Sequence, residues 1–216
     1  MTGGASGIGA AVAGMLARDG FEVVTVDLRA PATVRGDVRK ASTARRALKA
    51  LKSPVGALVN CAGSATGGAL PGLSRKDWDE VLEVDLTGAF VFIREVAPAM
   101  AEGGRIVNVS ATLALRARRD TAAHAAAKAG LIGLTRAAAR DLGPGGINVN
   151  AVAPGLVESK LSKRIPAEAK KALIGETCLG RIAQPEDVAE VIAFLCGPGS
   201  RHVTGEVIRV DGGQLA

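Results

Sequence analysis

Thr2-Gly3-Gly4-Ala5-Ser6-Gly7-Ile8-Gly9 opens the chain, and Ala10-Ala11-Val12-Ala13-Gly14-Met15-Leu16-Ala17 follows it with the spacing of a helix. Glycines at 3, 7 and 9 let the backbone turn tightly and approach a pyrophosphate. Ser6 and Ile8 lie in the same turn, and the amides at the positive end of the helix would hold the phosphate charge. The short apolar run from Phe21 to Val26 ends in Asp27, followed by Leu28. That is the place of an acid that accepts bonds from the hydroxyls of an adenosine ribose. An acid there repels a 2′-phosphate, and no Lys or Arg lies inside the turn, so these residues favour NAD over NADP. Arg29 argues the other way.

Short apolar runs continue to alternate with helical stretches, the pattern of a parallel sheet covered by helices on both faces. Expected strands are Phe21 to Val26, Ala32 to Arg35, Ala57 to Asn60, Arg105 to Val109, Ile147 to Val152 and Glu206 to Val210. Expected helices are Ser6 to Asp19, Lys40 to Leu51, Arg75 to Ala101, Asp120 to Leu142 and Pro185 to Leu195. No repeat, low-complexity tract or linker divides the chain, so residues 1–216 read as one α/β domain. With 48% hydrophobic residues over that length, it can bury a full core alone.

Composition narrows the partners. No apolar stretch is long enough to cross a bilayer and no secretory signal is present, which predicts a chain without membrane association. Cys61, Cys178 and Cys196 have no metal-ligand spacing and are too few for a disulfide framework, so no metal and a reduced, cytoplasmic setting are expected. The net charge of +6 could suit nucleic acid, but only 2% of residues are aromatic and no nucleic-acid motif appears. A solvated basic surface or an acidic substrate accounts for the charge instead.

Several further motifs stand in order: Asp37-Val38, Asn60-Cys61-Ala62-Gly63, Arg105-Ile106-Val107-Asn108-Val109-Ser110, Lys128-Ala129-Gly130, Asn148-Val149-Asn150-Ala151-Val152-Ala153-Pro154-Gly155 and Asp211-Gly212-Gly213. Together with the opening turn they make the chain resemble a short-chain dehydrogenase/reductase of the single-domain kind, over essentially all 216 residues. The resemblance implies a doubly wound, Rossmann-like sheet. It also implies that Asp37 and Val38 contact adenine, that Asn60, Ala62 and Gly63 line the ribose and brace the sheet, and that Pro154, Gly155, Val157 and Ser159 hold the nicotinamide carboxamide. Family members pair through the helix carrying Lys128, and small side chains from Thr121 to Ala139 permit that contact, so a homodimer or homotetramer is expected.

The chain departs from the family in its frame. Only Met1 precedes the turn, so the first strand is expected to be missing or truncated, as from a start site placed too late or a shortened chain. Neighbouring strands would then keep unpaired backbone groups, each costing roughly 1 to 3 kcal/mol if buried. Between Asp27 and Asp37, Leu28 to Pro31 is too short for a crossover helix, since parallel crossovers ordinarily take about a dozen residues. An adenosine pocket open at one edge is expected.

It departs further at the reacting end. Family members place a Tyr four residues before the Lys that grips the nicotinamide ribose. Here His124 takes that place before Lys128, and the spacing puts both on one helix face. The family's active serine aligns with Ala111; Ser110 is one position off, and neighbouring strand residues point to opposite faces. Asp85 replaces the family's Asn, which anchors a water chain to the Lys, and could pair with Lys128. The chain has no tyrosine at all.

Two readings follow. In one, the protein is an NAD(H)-dependent oxidoreductase interconverting an alcohol and a carbonyl, with a 3-oxoacyl compound among the candidate substrates and His124 as the proton carrier; a histidine's ordinary pKa near 6.5 suits that work. In the other, it binds nucleotide without redox chemistry, as an assembly subunit or a non-redox catalyst, and His124 is a plain helix residue. Arg116, Arg118 and Arg119, with Lys160, Lys163, Arg164, Lys170 and Lys171, border the site and would attract an acidic or thioester-linked substrate, or else form a solvated surface. Trp78 and His202 read as a partly buried aromatic and a surface histidine.

Overall fold

A computed structural model describes residues 1–64, 67–159 and 162–216. Lys160 and the side chain of Arg164 lie outside the described residues. The order of elements is α1 (Gly7–Arg18), β1 (Val26–Asp27), β2 (Val34–Arg35), α2 (Ala41–Ala50), β3 (Val55–Asn60), α3 (Arg75–Leu82), α4 (Gly88–Val96), β4 (Met100–Val109), α5 (Ala122–Leu142), β5 (Asn148–Pro154), α6 (Ala167–Gly175), α7 (Pro185–Cys196) and β6 (Val207–Val210).

All strand pairs are parallel. β3, β4, β5 and β6 lie side by side in that order, and β1 pairs with β2. Alternate strand residues turn to opposite faces, which gives two apolar layers. Leu58, Ile106 and Val149 pack with Phe92 of α4 and Ala138 of α5 on one side. Val59, Val107 and Val152 pack with Val12 and Leu16 of α1 and Ile192 of α7 on the other. The doubly wound expectation holds.

The frame at the amino terminus is thinner than any expected strand. Thr2 alone bridges in parallel to both Val26 and Asn60, and so joins the β1–β2 pair to the rest of the sheet through one residue. Its amide donates to Val59 O at 2.9 Å, the Gly3 amide donates to Val26 O at 2.8 Å, and Val26 N donates to Met1 O at 2.8 Å. With only that rung available, residues 21–25 form no ladder, and the expected strand from Phe21 shrinks to Val26–Asp27. A cavity of ≈ 60 Å³ lies alongside, lined by residues including Met1, Leu16, Phe21, Val24, Leu58 and Phe92.

Other boundaries shift for local reasons. Residues 28–33 alone connect β1 to β2, and Leu28, Arg29 and Pro31 on that loop are exposed. The single helix expected from Arg75 to Ala101 is broken: a π-turn over Glu83–Thr87 separates α3 from α4, and a 3₁₀ turn carrying Pro98 ends the run before β4. Helix α6 was not expected; it has no buried residue, so no apolar stripe announced it. Trp78 is half-buried against Val81 and Ala123, and His202 is exposed.

Candidate active site

The opening turn is built by contact between backbones. A Cβ on Gly9 would stand 2.0 Å from Gly3 O, and one on Gly3, whose φ is +70, would stand 2.8 Å from Ala62 N. Gly7 differs: its φ is +54, but nothing lies within 4 Å of where its Cβ would point. The amides of Ser6, Gly7, Ile8 and Gly9 have no acceptor among the described residues, and the Ser6 side chain does not cap α1. Open space in front of unpaired amides at a helix start fits a diphosphate. The Thr2 hydroxyl fixes the base of the turn by accepting from the amides of Cys61 at 3.1 Å and Ala62 at 3.2 Å. Thr2 was quoted as part of the motif, but its bracing role needed the fold to be seen.

Two acids, Asp27 and Asp37, mark the side of the turn where the sequence places adenosine. Asp27 accepts from Ala5 N through Oδ2 at 3.1 Å and from Arg29 N through Oδ1 at 3.0 Å, which holds its carboxylate at the tip of β1 beside the turn. Leu28 beside it is exposed. Asp37 is gripped by the Arg39 guanidinium, which holds its carboxyl below the usual range despite partial burial. Val38 is buried under α4, where a Cβ on Gly88 would meet its Cγ2 at 2.7 Å. Asn60 is buried and donates to Asn108 Oδ1 at 2.9 Å; Asn108 donates on to Thr135 Oγ1 at 2.9 Å. That chain ties β3 and β4 to α5.

Three titratable side chains meet beyond Gly63. Asp85 sits in the π-turn with its side chain fully buried, His124 Nδ1 lies 3.3 Å from Asp85 Oδ2, and Lys128 Nζ lies 3.4 Å from the same atom. Close helix approach makes this possible: a Cβ on Gly130 of α5 would stand 2.8 Å from Leu86 Cδ2 of the π-turn. The Ser64 amide donates to Asp85 Oδ1 at 2.6 Å, and Lys128 Nζ donates to Val109 O at 3.0 Å. Burial alone would raise the Asp85 carboxyl, but His124, Lys128 and the Ser64 amide outweigh it and hold it below the usual carboxylate range. A Cβ on Gly63 would come 3.4 Å from Asp85 Oδ2 and 3.6 Å from Lys128 Nζ, so the glycine keeps the approach to this cluster clear.

Ser110 is buried and donates its hydroxyl proton to Lys128 O at 3.0 Å, so that proton locks β4 to α5. Ala111, at the serine position of the family, follows it as the residue flanking a 3₁₀ turn.

At the far side, Pro154 closes β5. A Cβ on Gly155 would stand 3.1 Å from Asp211 Cα, Val157 bridges to Ala183, and Ser159 exchanges bonds with Ser162. The basic residues are partly spoken for. Glu176, just past α6, accepts from Arg116 at 2.5 Å and from Arg118, while Lys170 pairs with Glu158 at 3.0 Å. Arg119, Lys163 and Lys171 remain exposed. Glu176 was missed in the sequence because its partners lie 58 and 60 residues away. Among the described residues no cluster of His, Cys, Asp and Glu could hold a metal, and no helix is long and apolar enough to cross a membrane.

A family model described as enoyl-(acyl carrier protein) reductase matches residues 3–214. A (3R)-3-hydroxyacyl-CoA dehydrogenase of Mus musculus is 35% identical over 243 residues, covering 99% of this chain and 94% of the relative. That span exceeds the 216 residues here, so the relative carries positions that this chain lacks. A 3-oxoacyl-(acyl-carrier-protein) reductase, FabG, of Thermotoga maritima is 35% identical over 237 residues, covering 100% of this chain and 96% of the relative. Among solved structures, a blue fluorescent protein from a metagenomic library, in complex with NADPH, superposes with a TM-score of 0.92 at 33% identity, covering 100% of this chain and 96% of that one.

Proposed function

Since the chain belongs to the short-chain dehydrogenase/reductase family of oxidoreductases, we propose that it interconverts an alcohol and a carbonyl with NAD(H), using His124 where the family uses tyrosine. The observation that carries this reading is the placement of His124, Asp85 and Lys128 together beyond Gly63, beside a glycine turn whose helix amides are unpaired. Bound nicotinamide supplies or accepts the hydride. Gly3, Ser6, Gly7, Ile8 and Gly9 bind its diphosphate. Asp27, Leu28, Asp37 and Val38 border the adenosine, and Asn60, Ala62 and Gly63 the ribose. Pro154, Gly155, Val157 and Ser159 face the carboxamide. Lys128 orients the nicotinamide ribose, and His124 gives a proton to the carbonyl oxygen or takes it from the alcohol. Ser110 supports this work by fixing the Lys128 backbone.

The choice of NAD rests on Asp27, whose carboxylate is held by two amides where a 2′-phosphate would fall. Because a solved neighbour carries NADPH, both nucleotides belong in the test. The relatives' names motivate a 3-oxoacyl thioester as substrate, with Arg119, Lys163 and Lys171 as exposed cations for its anionic part. A homo-oligomer formed through α4 and α5 belongs to the same reading; Phe90 and the small residues Ala129, Gly133 and Ala137 are exposed there. Light scattering after gel filtration reads that directly.

Saturating NADH is expected to protect the protein against thermal unfolding, by about 2.7 kcal/mol at a hundredfold excess over Kd, and NADPH to protect it less. Turnover is expected with 3-oxoacyl thioesters or simple ketones. Absence of protection by either nucleotide would overturn the cofactor assignment; protection without turnover across the panel would overturn the redox assignment alone.

A further inference from the structure

Three buried side-chain atoms of the site lack a partner among the described residues: Asn60 Oδ1, Ser64 Oγ and Asp85 Oδ2. Asp85 Oδ2 is buried without an aligned donor among the described residues, although Oδ1 holds the Ser64 amide. An unsatisfied buried acceptor is costly, and more so when charged, so Oδ2 attracts any N–H that can be turned toward it. Two nitrogens are near enough, Lys128 Nζ at 3.4 Å and His124 Nδ1 at 3.3 Å. The lysine already donates to Val109 O and its side chain is 7% exposed, whereas the histidine side chain is 25% exposed and its ring can turn. Hydrogen bonds of catalytic groups are often long before substrate binds and tighten afterwards.

We infer that Asp85 is the positioning residue of His124: Oδ2 accepts the Nδ1 proton, which leaves Nε2 as the atom that exchanges a proton with substrate. The inference rests on the oxidoreductase reading above and deepens it. A phenol has one oxygen and no tautomer to choose. An imidazole has two nitrogens, and the partner of one decides which carries the proton at the other. In the reducing direction the proton leaves Nε2 for the carbonyl oxygen, and the N–H electron pair stays on Nε2. The ring is then the neutral Nδ1–H form, already bonded to Asp85, and regains a proton from solvent at its exposed edge. An asparagine at 85 could present its NH₂ as readily as its oxygen and would not fix that form. The replacements at 85 and 124 therefore act as one unit.

The chain has two histidines, and His202 is exposed, so a long-range ¹H–¹⁵N NMR spectrum resolves both, with His202→Gln giving the assignment. The neutral form of His124 is expected to carry its proton on Nδ1. Asp85→Asn is expected to return it to the Nε2–H form and to lower kcat by about 10- to 100-fold, with KM changed by less than about threefold. In a His124→Ala background the same replacement is expected to lower turnover by a clearly smaller factor, the remainder being what the lost Lys128 countercharge costs. An Nε2–H His124 in the unmodified protein would overturn the inference, as would an Asp85→Asn defect of undiminished size without His124. If Asp85→Asn does not fold, the tautomer of the unmodified protein decides. Because that reading needs no turnover, an inactive protein with Nδ1–H His124 would count against the oxidoreductase reading and leave the role of Asp85 standing.

Discussion

The glycine turn, a candidate nucleotide cradle, and the Asp85–His124–Lys128 cluster lie side by side but are made of different material. The cradle is backbone: Gly3 against Ala62, Gly9 against Gly3, and amides facing open space. The cluster is side chain: a buried carboxylate between an imidazole and an ammonium. Backbone sites tolerate no substitution at the contact, because any Cβ collides. Side-chain sites can exchange several members together, provided charge and hydrogen bonds still balance.

Gly9→Ala should break that comparison most severely. Its Cβ would need to pass 2.0 Å from Gly3 O, so the turn must open; a loss of more than about 4 kcal/mol in stability is expected, with nucleotide affinity abolished, by calorimetry and titration. His124→Ala should spare the fold and NADH binding while lowering kcat by about 10² to 10⁴, by steady-state kinetics. Equal turnover in the variant would remove the imidazole from the reaction.

Asp85→Asn should cost about 3 kcal/mol at neutral pH, because it strips the countercharge from buried Lys128. Its acid behaviour sharpens the point. The Asp85 carboxyl is lowered in the folded state, so its contribution is complete above the unfolded value of about 3.9 and fades as pH falls through the lower folded value. Urea midpoints of parent and variant are therefore expected to converge below about pH 4. A gap that stays constant down to pH 2 would show that Asp85 acts by shape alone. The smallest effect is expected for Gly63→Ala, whose Cβ finds only ordinary contacts at 3.4 Å and beyond. Stability should change by less than about 0.5 kcal/mol, and nucleotide affinity should fall a few-fold as the approach narrows.

The same division explains what could be read from the sequence. Glycine spacing and alternating apolar runs are local, so the turn, β3 to β6 and the helix carrying Lys128 were legible. The single rung at Thr2 was not: absence of a preceding strand was visible, but not that one residue would pair on both sides. Nor was the π-turn that buries Asp85, which depends on Leu86 meeting Gly130 from a helix far along the chain. Ser110, one position off the family's active serine, could be placed only once its hydroxyl was seen to donate to Lys128 O. The basic cluster looked free until Glu176 was found between two of its arginines.

Thr2 gives the sheet a seam. To one side run four laddered strands; to the other hangs a two-strand flap, and the join is one residue wide with a void beside it. The opening turn straddles that join, since Gly3 donates to Val26 on the flap while its Cα packs against Ala62 at the end of β3. A dinucleotide clasped there would act as a rivet between the two plates. The amide hydrogens of Thr2 and Val26, bonded across the join to Val59 O and Met1 O, should then exchange with deuterium more slowly in the loaded protein, because what frees them is the parting of the seam.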